Sequence, residues 1–225
     1  MPDITSGSND GFILNASTSG WAALRSATAG VSTEYARRSG LMAGTRHSAR
    51  GGGQYLLTRG FFEFDTSGIS EAPSSAILKI YGAVSTNSDV IVVRSEQSST
   101  LVDADFDALY GASTPLGASD GNNAGTLAGV SGLAYSASHT SWTKSGYNEI
   151  TLIAPAFADM ASLSLFKVAV IDYDYDYLDA VIANNTNVGS GAYYADNAAD
   201  PNPILSYVAG TASVADNATF FGANF

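Results

Sequence analysis

At 225 residues and 45% hydrophobic, the chain is long enough to bury one sizeable core and fits the size range of a single all-β domain. Its net charge of −11, on only 14% charged residues, makes a single-sign field that repels phosphate backbones, which excludes nucleic acid as an expected partner. With no cysteine, disulfide frameworks, thiolate metal sites and thiol catalysis are excluded as well.

The first residues, Met1-Pro-Asp-Ile-Thr5, carry neither a basic nor an apolar leader segment, so the reading expects no signal peptide. No apolar run reaches the roughly eighteen residues of a membrane-spanning helix, and no membrane partner is expected. The Asn-x-Ser/Thr triplets at Asn15, Asn184 and Asn217 carry no meaning without a secretion signal. The missing cysteines fit a bacterial or viral origin.

In chain order, Gly11 to Asn15 reads as a short first strand. Gly30 to Gly53, which ends in Gly51-Gly-Gly53, reads as a long loop holding His47 and a loose group of Arg37, Arg38, Arg46 and Arg50. Gln54 to Asp65 is the strongest strand signal, with Phe62 and Phe64 on one face and Phe61 and Glu63 on the other. Ala76 to Val84 alternates in the same way, Leu78 and Ile80 on one face, Lys79 and Tyr81 on the other. The run Val90-Ile-Val-Val93 inside Asp89 to Glu96 predicts a strand covered on both faces.

Val102 to Leu109 predicts a short helical turn, with Val102, Phe106 and Leu109 at helical spacing and Thr100 as its cap. Gly111 to Gly132, rich in glycine, reads as a long loop, either an excursion on the sandwich surface or an ordered Ω-type segment. Asn148 to Ile153 is a strand, and Ala154 to Ala161 a helical turn with Pro155 in its first turn, where a missing N–H costs nothing. Leu165 to Tyr177, Gly191 to Ala195 and Ile204 to Ala209 complete the strands. Eight or so strands without long helical periodicity predict an antiparallel β-sandwich of jelly-roll type. Residues 1–50 are expected to belong to the same domain as a 51–209 sandwich core, with 210–225 as a C-terminal arm. Phe220, Phe221 and Phe225 in that arm are expected to fold back or to dock on another subunit.

Few residues suggest chemistry. Gly117-Ala-Ser-Asp-Gly121 matches the nucleophile-elbow pattern around Ser119, but it lies in the glycine-rich loop without the strand and helix that would expose the hydroxyl. Asp103-Ala-Asp-Phe-Asp107 opens like a calcium loop, yet Ala108 and Thr114 stand where such a loop needs Gly and Glu; its ordinary reading is an acidic turn. Asp172-Tyr-Asp-Tyr-Asp-Tyr177 is the most unusual segment. As a strand it places Tyr173, Tyr175 and Tyr177 on one face and Asp172, Asp174 and Asp176 on the other.

Three readings of that segment stay open. It is a strand leaving the core with wet carboxylates and half-buried tyrosines; or its tyrosines, with Trp142, form a platform for a glycan or a protein; or two carboxylates spaced about 6.6–6.8 Å apart hold Ca²⁺ with help from loop carbonyls. Trp21 stands open between core, rim and exposed sugar platform. His47 and His139 lack metal-ligand spacing and read as loop residues. No acid–base pair, phosphate loop or redox centre emerges, so no enzyme is expected.

Several segments carry a family resemblance. Thr58-Arg-Gly-Phe-Phe-Glu-Phe-Asp-Thr-Ser-Gly-Ile69, followed by Ala76-Ile-Leu-Lys-Ile-Tyr-Gly82, resembles a β-sandwich module of structural and tail-associated proteins of tailed phages. It is also similar to the DNRLRE-type and carbohydrate-binding-module jelly rolls of bacterial surface proteins. Val90-Ile-Val-Val-Arg-Ser95, Ala104-Asp-Phe106, Gly146-Tyr-Asn-Glu-Ile150, Ser190-Gly-Ala-Tyr-Tyr-Ala-Asp196 and Asp200-Pro-Asn-Pro-Ile-Leu-Ser-Tyr207 continue the likeness in order, over roughly Gly51 to Ala209.

These are core and turn residues, so the resemblance implies a fold and a mode of use but no site residues. It implies a non-enzymatic virion structural protein: a capsid decoration or accessory protein, or a tail-associated one. Such a protein is assembled in the host cytoplasm and contacts other virion proteins, with a homo-oligomer expected. The rival expectation is a carbohydrate-binding adhesion module for host or environmental glycans.

Overall fold

The computed structural model describes residues 1–34, 39–48, 53–86, 88–111, 126–195 and 201–211. Among them eleven strands carry the fold: β1 Asp3–Thr5, β2 Gly11–Ser17, β3 Ser32–Glu34, β4 Ser39–Ser48, β5 Gln54–Asp65, β6 Ser75–Ser85, β7 Val90–Arg94, β8 Tyr147–Thr151, β9 Leu165–Asp172, β10 Asn187–Tyr193 and β11 Ile204–Val208. Every pairing between them is antiparallel. The chain is an all-β sandwich, and the expected fold class holds.

β5 organises it. β2 runs along one edge, pairing Phe12 with Gly60. On the other edge β4 pairs with the first half of β5, as in Thr45 with Leu57, and β9 pairs with the second half, as in Phe62 with Val168. The sheet therefore forks along this edge. β9 continues to β7, while β4 leads through β10 to β6, which also carries β8 and β11. Gly60 sits at the fork, where a Cβ would lie 2.4 Å from Met42 Cγ. The strand crossing there needs a residue without a side chain.

Alternation along these strands builds two apolar clusters. Phe62, Phe64, Val168, Val170, Val90 and Val92 meet Leu78, Ile80, Ile150 and Leu205 across the gap between the sheets. Phe61, Ile91, Val93, Ala169 and Ile171 point the other way and are covered by a layer of short elements. The two-faced burial expected of Val90–Val93 is what the structure has: none of the four is more than 2% exposed.

The covering layer consists of helix α1, Trp21–Arg25, 3₁₀ turns at Asp103–Asp107 and Leu127–Gly129, and a π-type turn at Tyr173–Tyr177. Helix α2, Ala154–Ser162, closes one end of the inter-sheet core with Ala156 and Met160. The turn at Asp103–Asp107 and helix α2 fall where short helical turns were expected. The cap of the former differs: Thr100 takes no part, and Asp105 accepts from Val102 N at 2.9 Å and from Ser98 N at 2.8 Å.

Three sequence expectations are corrected. The segment read as a loop from Gly30 to Gly53 contains β3 and the ten-residue β4. Its glycines concealed the strand: a Cβ at Gly40 would lie 2.3 Å from the Phe12 ring, so glycine here marks a close approach and not a turn. His47 accordingly lies on β4, stacked on Tyr55 with ring centroids 4.0 Å apart. Finally, the strand read as Leu165 to Tyr177 stops at Asp172.

Candidate functional site

The end of β9 shows why that strand stops. Asp172 Oδ1 accepts the backbone N–H of Tyr175 at 2.8 Å, and Oδ2 accepts from Ser88 Oγ at 2.8 Å. An aspartate that bonds to the backbone three residues ahead draws the chain out of the ladder into a turn. The period-2 pattern of Tyr and Asp is thus wound into one turn, and its side chains no longer alternate across a sheet. Tyr173 and Tyr177 stack with centroids 5.7 Å apart and planes 20° apart, Tyr175 is half-buried by itself, and Asp174 is exposed. The expected tyrosine face does not form.

The three aspartates go to three environments. Asp172 is buried, and burial pushes its carboxyl up to about 6. Asp174 faces water, while Asp176 is fully buried. Asp176 receives Arg59 in fork geometry, Nε to Oδ2 at 2.7 Å and Nη2 to Oδ1 at 2.8 Å. Arg25 Nε lies 3.4 Å from Oδ1, and Arg25 Nη2 donates to the Asp176 carbonyl at 2.5 Å. Burial pushes the Asp176 carboxyl up, but the two guanidiniums outweigh it and hold it below the ordinary carboxylate value. The shared carboxylate face that the Ca²⁺ reading needs, one of the three left open, is not formed by these aspartates, because Asp176 is taken up by arginines. Among the described residues no group of three or more His, Cys, Asp or Glu is placed to hold a metal.

This buried network spans the covering layer. Arg59 reaches from β5 through the layer, donates from Nη1 to Phe106 O at 2.7 Å and lies 4.4 Å from the Phe106 ring centroid. Arg25 brings in α1 and pairs with Asp179 at 2.8 Å. Trp21 Nε1 donates to the same Asp179 Oδ1 at 3.2 Å. Asp107 lies beside the network with Oδ1 buried and unpartnered, and burial raises its carboxyl. Sequence reasoning missed Arg25 and Arg59. For Arg59 the available signal was a cation amid the run Leu56-Leu-Thr-Arg-Gly-Phe-Phe62, since a buried charge needs a partner; Arg25, in a short helix, gave no such signal.

Trp142, expected as a stacking surface, is 6% exposed and donates Nε1 to Gly191 O at 3.1 Å. It packs into the inter-sheet core and offers no face to a ligand. The structure places a different set of aromatics outside. Tyr81 on β6 stands opposite Tyr147 on β8, with centroids 5.3 Å apart at 88°. Tyr81 also meets Tyr193 of β10 at 5.6 Å and 79°. Tyr147 is 40% exposed and donates its hydroxyl to Asn202 O at 3.2 Å. The Lys79–Glu149 pair lies one step along the same face, 3.9 Å apart. That Tyr81 lies on the face opposite Leu78 and Ile80 was legible from alternation, whereas the register joining three tyrosines from distant segments was not.

Among the described residues, two of the open clefts are lined in part by charged side chains. One of about 280 Å³ is lined by Arg94, Ser95, Glu96, Leu165 and Lys167. Its cations are already engaged: Arg94 pairs with Asp159 at 2.9 Å and Lys167 lies 3.7 Å from Glu63. The other, about 220 Å³, lies among Leu14, Leu41, Leu56 and Thr58, with Arg46 and Asn187 at its rim. Ser119 and its glycine-rich surroundings lie outside the described residues, as do Phe220, Phe221 and Phe225. His139 is in a loop, bridged to Val90 and edge-on to Trp142.

Fold and surface together define an all-β sandwich whose outer sheet face carries an aromatic patch. No protein-family model and no curated protein matches the chain.

Proposed function

We propose that this chain is a non-enzymatic structural protein of a tailed-phage particle, a capsid decoration or tail-associated sandwich that works through protein–protein contacts. The observation that carries this reading is the patch of Tyr81, Tyr147 and Tyr193 on the outer face of β6, β8 and β10. Tyrosine supplies contact area with few rotatable bonds and is enriched where proteins meet. Further support comes from how the unusual charged groups are used. Asp176, Arg25 and Arg59 are paired with partners inside the protein, as in a scaffold. The residues from Thr58 to Tyr207 that resemble phage virion modules agree.

The test is to locate the protein on purified particles by electron microscopy with a labelled antibody, beside particles assembled with Tyr147→Ala. Regular copies on the particle, reduced by the substitution, are expected; a chain absent from particles overturns the reading.

A second reading, a glycan-binding adhesion module, draws on the same patch, because an exposed tyrosine ring beside the Lys79–Glu149 pair offers both stacking and hydrogen bonds to a sugar. Soluble polysaccharides binding at millimolar or better affinity, and losing it in Tyr147→Ala, would favour this reading over the first.

A further inference from the structure

We propose that the layer over the outer face of β2, β5, β9 and β7 is a cover that opens as a unit, with Asp176 as its latch. Each part of the layer is tied to this one residue or its immediate neighbours. α1 is held by Arg25, bonded to the Asp176 carboxylate and carbonyl. The turn at Asp103–Asp107 is held by Arg59, which bridges Asp176 and Phe106 O. The segment that starts at Thr126 is held by its hydroxyl, which donates to Tyr177 O at 3.1 Å. The Tyr173–Tyr177 turn contains Asp176 itself.

Beneath the cover lie Ile13, Phe61, Ile91, Val93, Ala169 and Ile171, a cluster separate from the one between the sheets. The cover elements are short, so their own backbone bonds contribute little cooperativity. Opening would return Arg25, Arg59 and Asp176 to water, and the regained hydration offsets part of the lost apolar burial. Opening the gap between the sheets regains no such hydration, because its walls are apolar and its strands are laddered together. The cover is therefore the less costly unit to release. Released, it presents an apolar sheet face that the closed protein hides. This device stands independently of the function proposed above.

Hydrogen exchange of the full chain, followed by mass spectrometry at sub-denaturing urea, tests it. Amides bonded within the cover, those of Ser26, Ala108, Val130 and Leu178, should exchange about tenfold or more faster than those of the β5–β9 and β6–β11 ladders, with a shallower urea dependence. Asp176→Asn should accelerate the cover amides by about another tenfold and raise the fluorescence of an apolar dye, whereas Phe62→Ala, whose contacts between the sheets the open form keeps, should accelerate the ladder amides and leave the cover amides within about twofold. Equal rates and equal urea slopes for cover and ladders in the unsubstituted protein overturn the proposal. So does a Phe62→Ala chain whose cover amides accelerate along with its ladders.

Discussion

The two faces of the β5–β9–β7 sheet are buried in different ways. Toward the second sheet the interior is apolar throughout at its centre, Phe62 and Phe64 against Leu78 and Ile80, and every strand that contributes is held in a ladder. Toward the cover, a comparable set of apolar residues is closed by short turns, and two arginines and an aspartate are sealed among them. The first face is held by burial and backbone pairing, which are spread over many residues. The second depends on one polar junction, where the loss of a single partner leaves charge stranded in an apolar layer.

The largest expected effect probes that junction. Arg59→Ala removes the fork on Asp176 and strands a buried carboxylate, and should cost about 3–5 kcal/mol in urea unfolding. Phe62→Ala leaves a cavity in the apolar core and should also cost about 3–5 kcal/mol, but its loss should fall on the whole sandwich. Comparing which amides exchange faster in the two variants sharpens the contrast; identical patterns would break it.

A smaller effect comes from Asp172, whose carboxyl rises from 3.8 to about 6 on folding because it is buried. The folded state thus holds this proton more tightly than the unfolded chain does. Its contribution is fully present below the unfolded value and is lost as pH rises from near 4 to about 6. Asp172→Asn should flatten that part of the stability profile by an amount on the order of 3 kcal/mol. Asp176 works in the opposite direction: held low by its arginines, it contributes at neutral pH and loses that contribution under strong acid. Stability of the parent, Asp172→Asn and Asp176→Asn chains, measured by denaturant titration across pH 3 to 7, separates the two. The smallest expected change is Tyr147→Ala on the outer face, about 0.5–1.5 kcal/mol from the lost edge-to-face contact with Tyr81. That loss should appear equally in both halves of the sandwich, so a selective effect on the cover would argue against the separation of the two faces.

Some of this is legible in the sequence alone. The bounds of β5 and the face-sharing of Phe62 with Phe64 and of Leu78 with Ile80 followed from period-2 alternation, because in these strands the side-chain environment repeats with the backbone, and the double burial of Val90–Val93 followed from its unbroken apolar run. β4 was hidden, because Gly40 and Gly44 look like loop residues until Phe12 and Val188 are seen pressing against them. The Tyr-Asp segment was misread for a related reason. Its alternation is that of a strand, but Asp172 bonds forward to Tyr175 and Asp176 is drawn inward by arginines 117 and 151 residues away in sequence.

The candidate surface follows the same division. That Tyr81 faces outward is a local property. That Tyr147 and Tyr193 stand beside it depends on the pairing of β6 with β8 and with β10, segments about 65 and 110 residues from it along the chain. By itself, then, the sequence determined the fold class, most strands and which side of each is apolar, since these depend on residue type and spacing alone. Only the tertiary structure decided which charges meet, where the sheet forks and which tyrosines share a face. Those outcomes depend on long-range register, and register is set by the summed packing of the whole core.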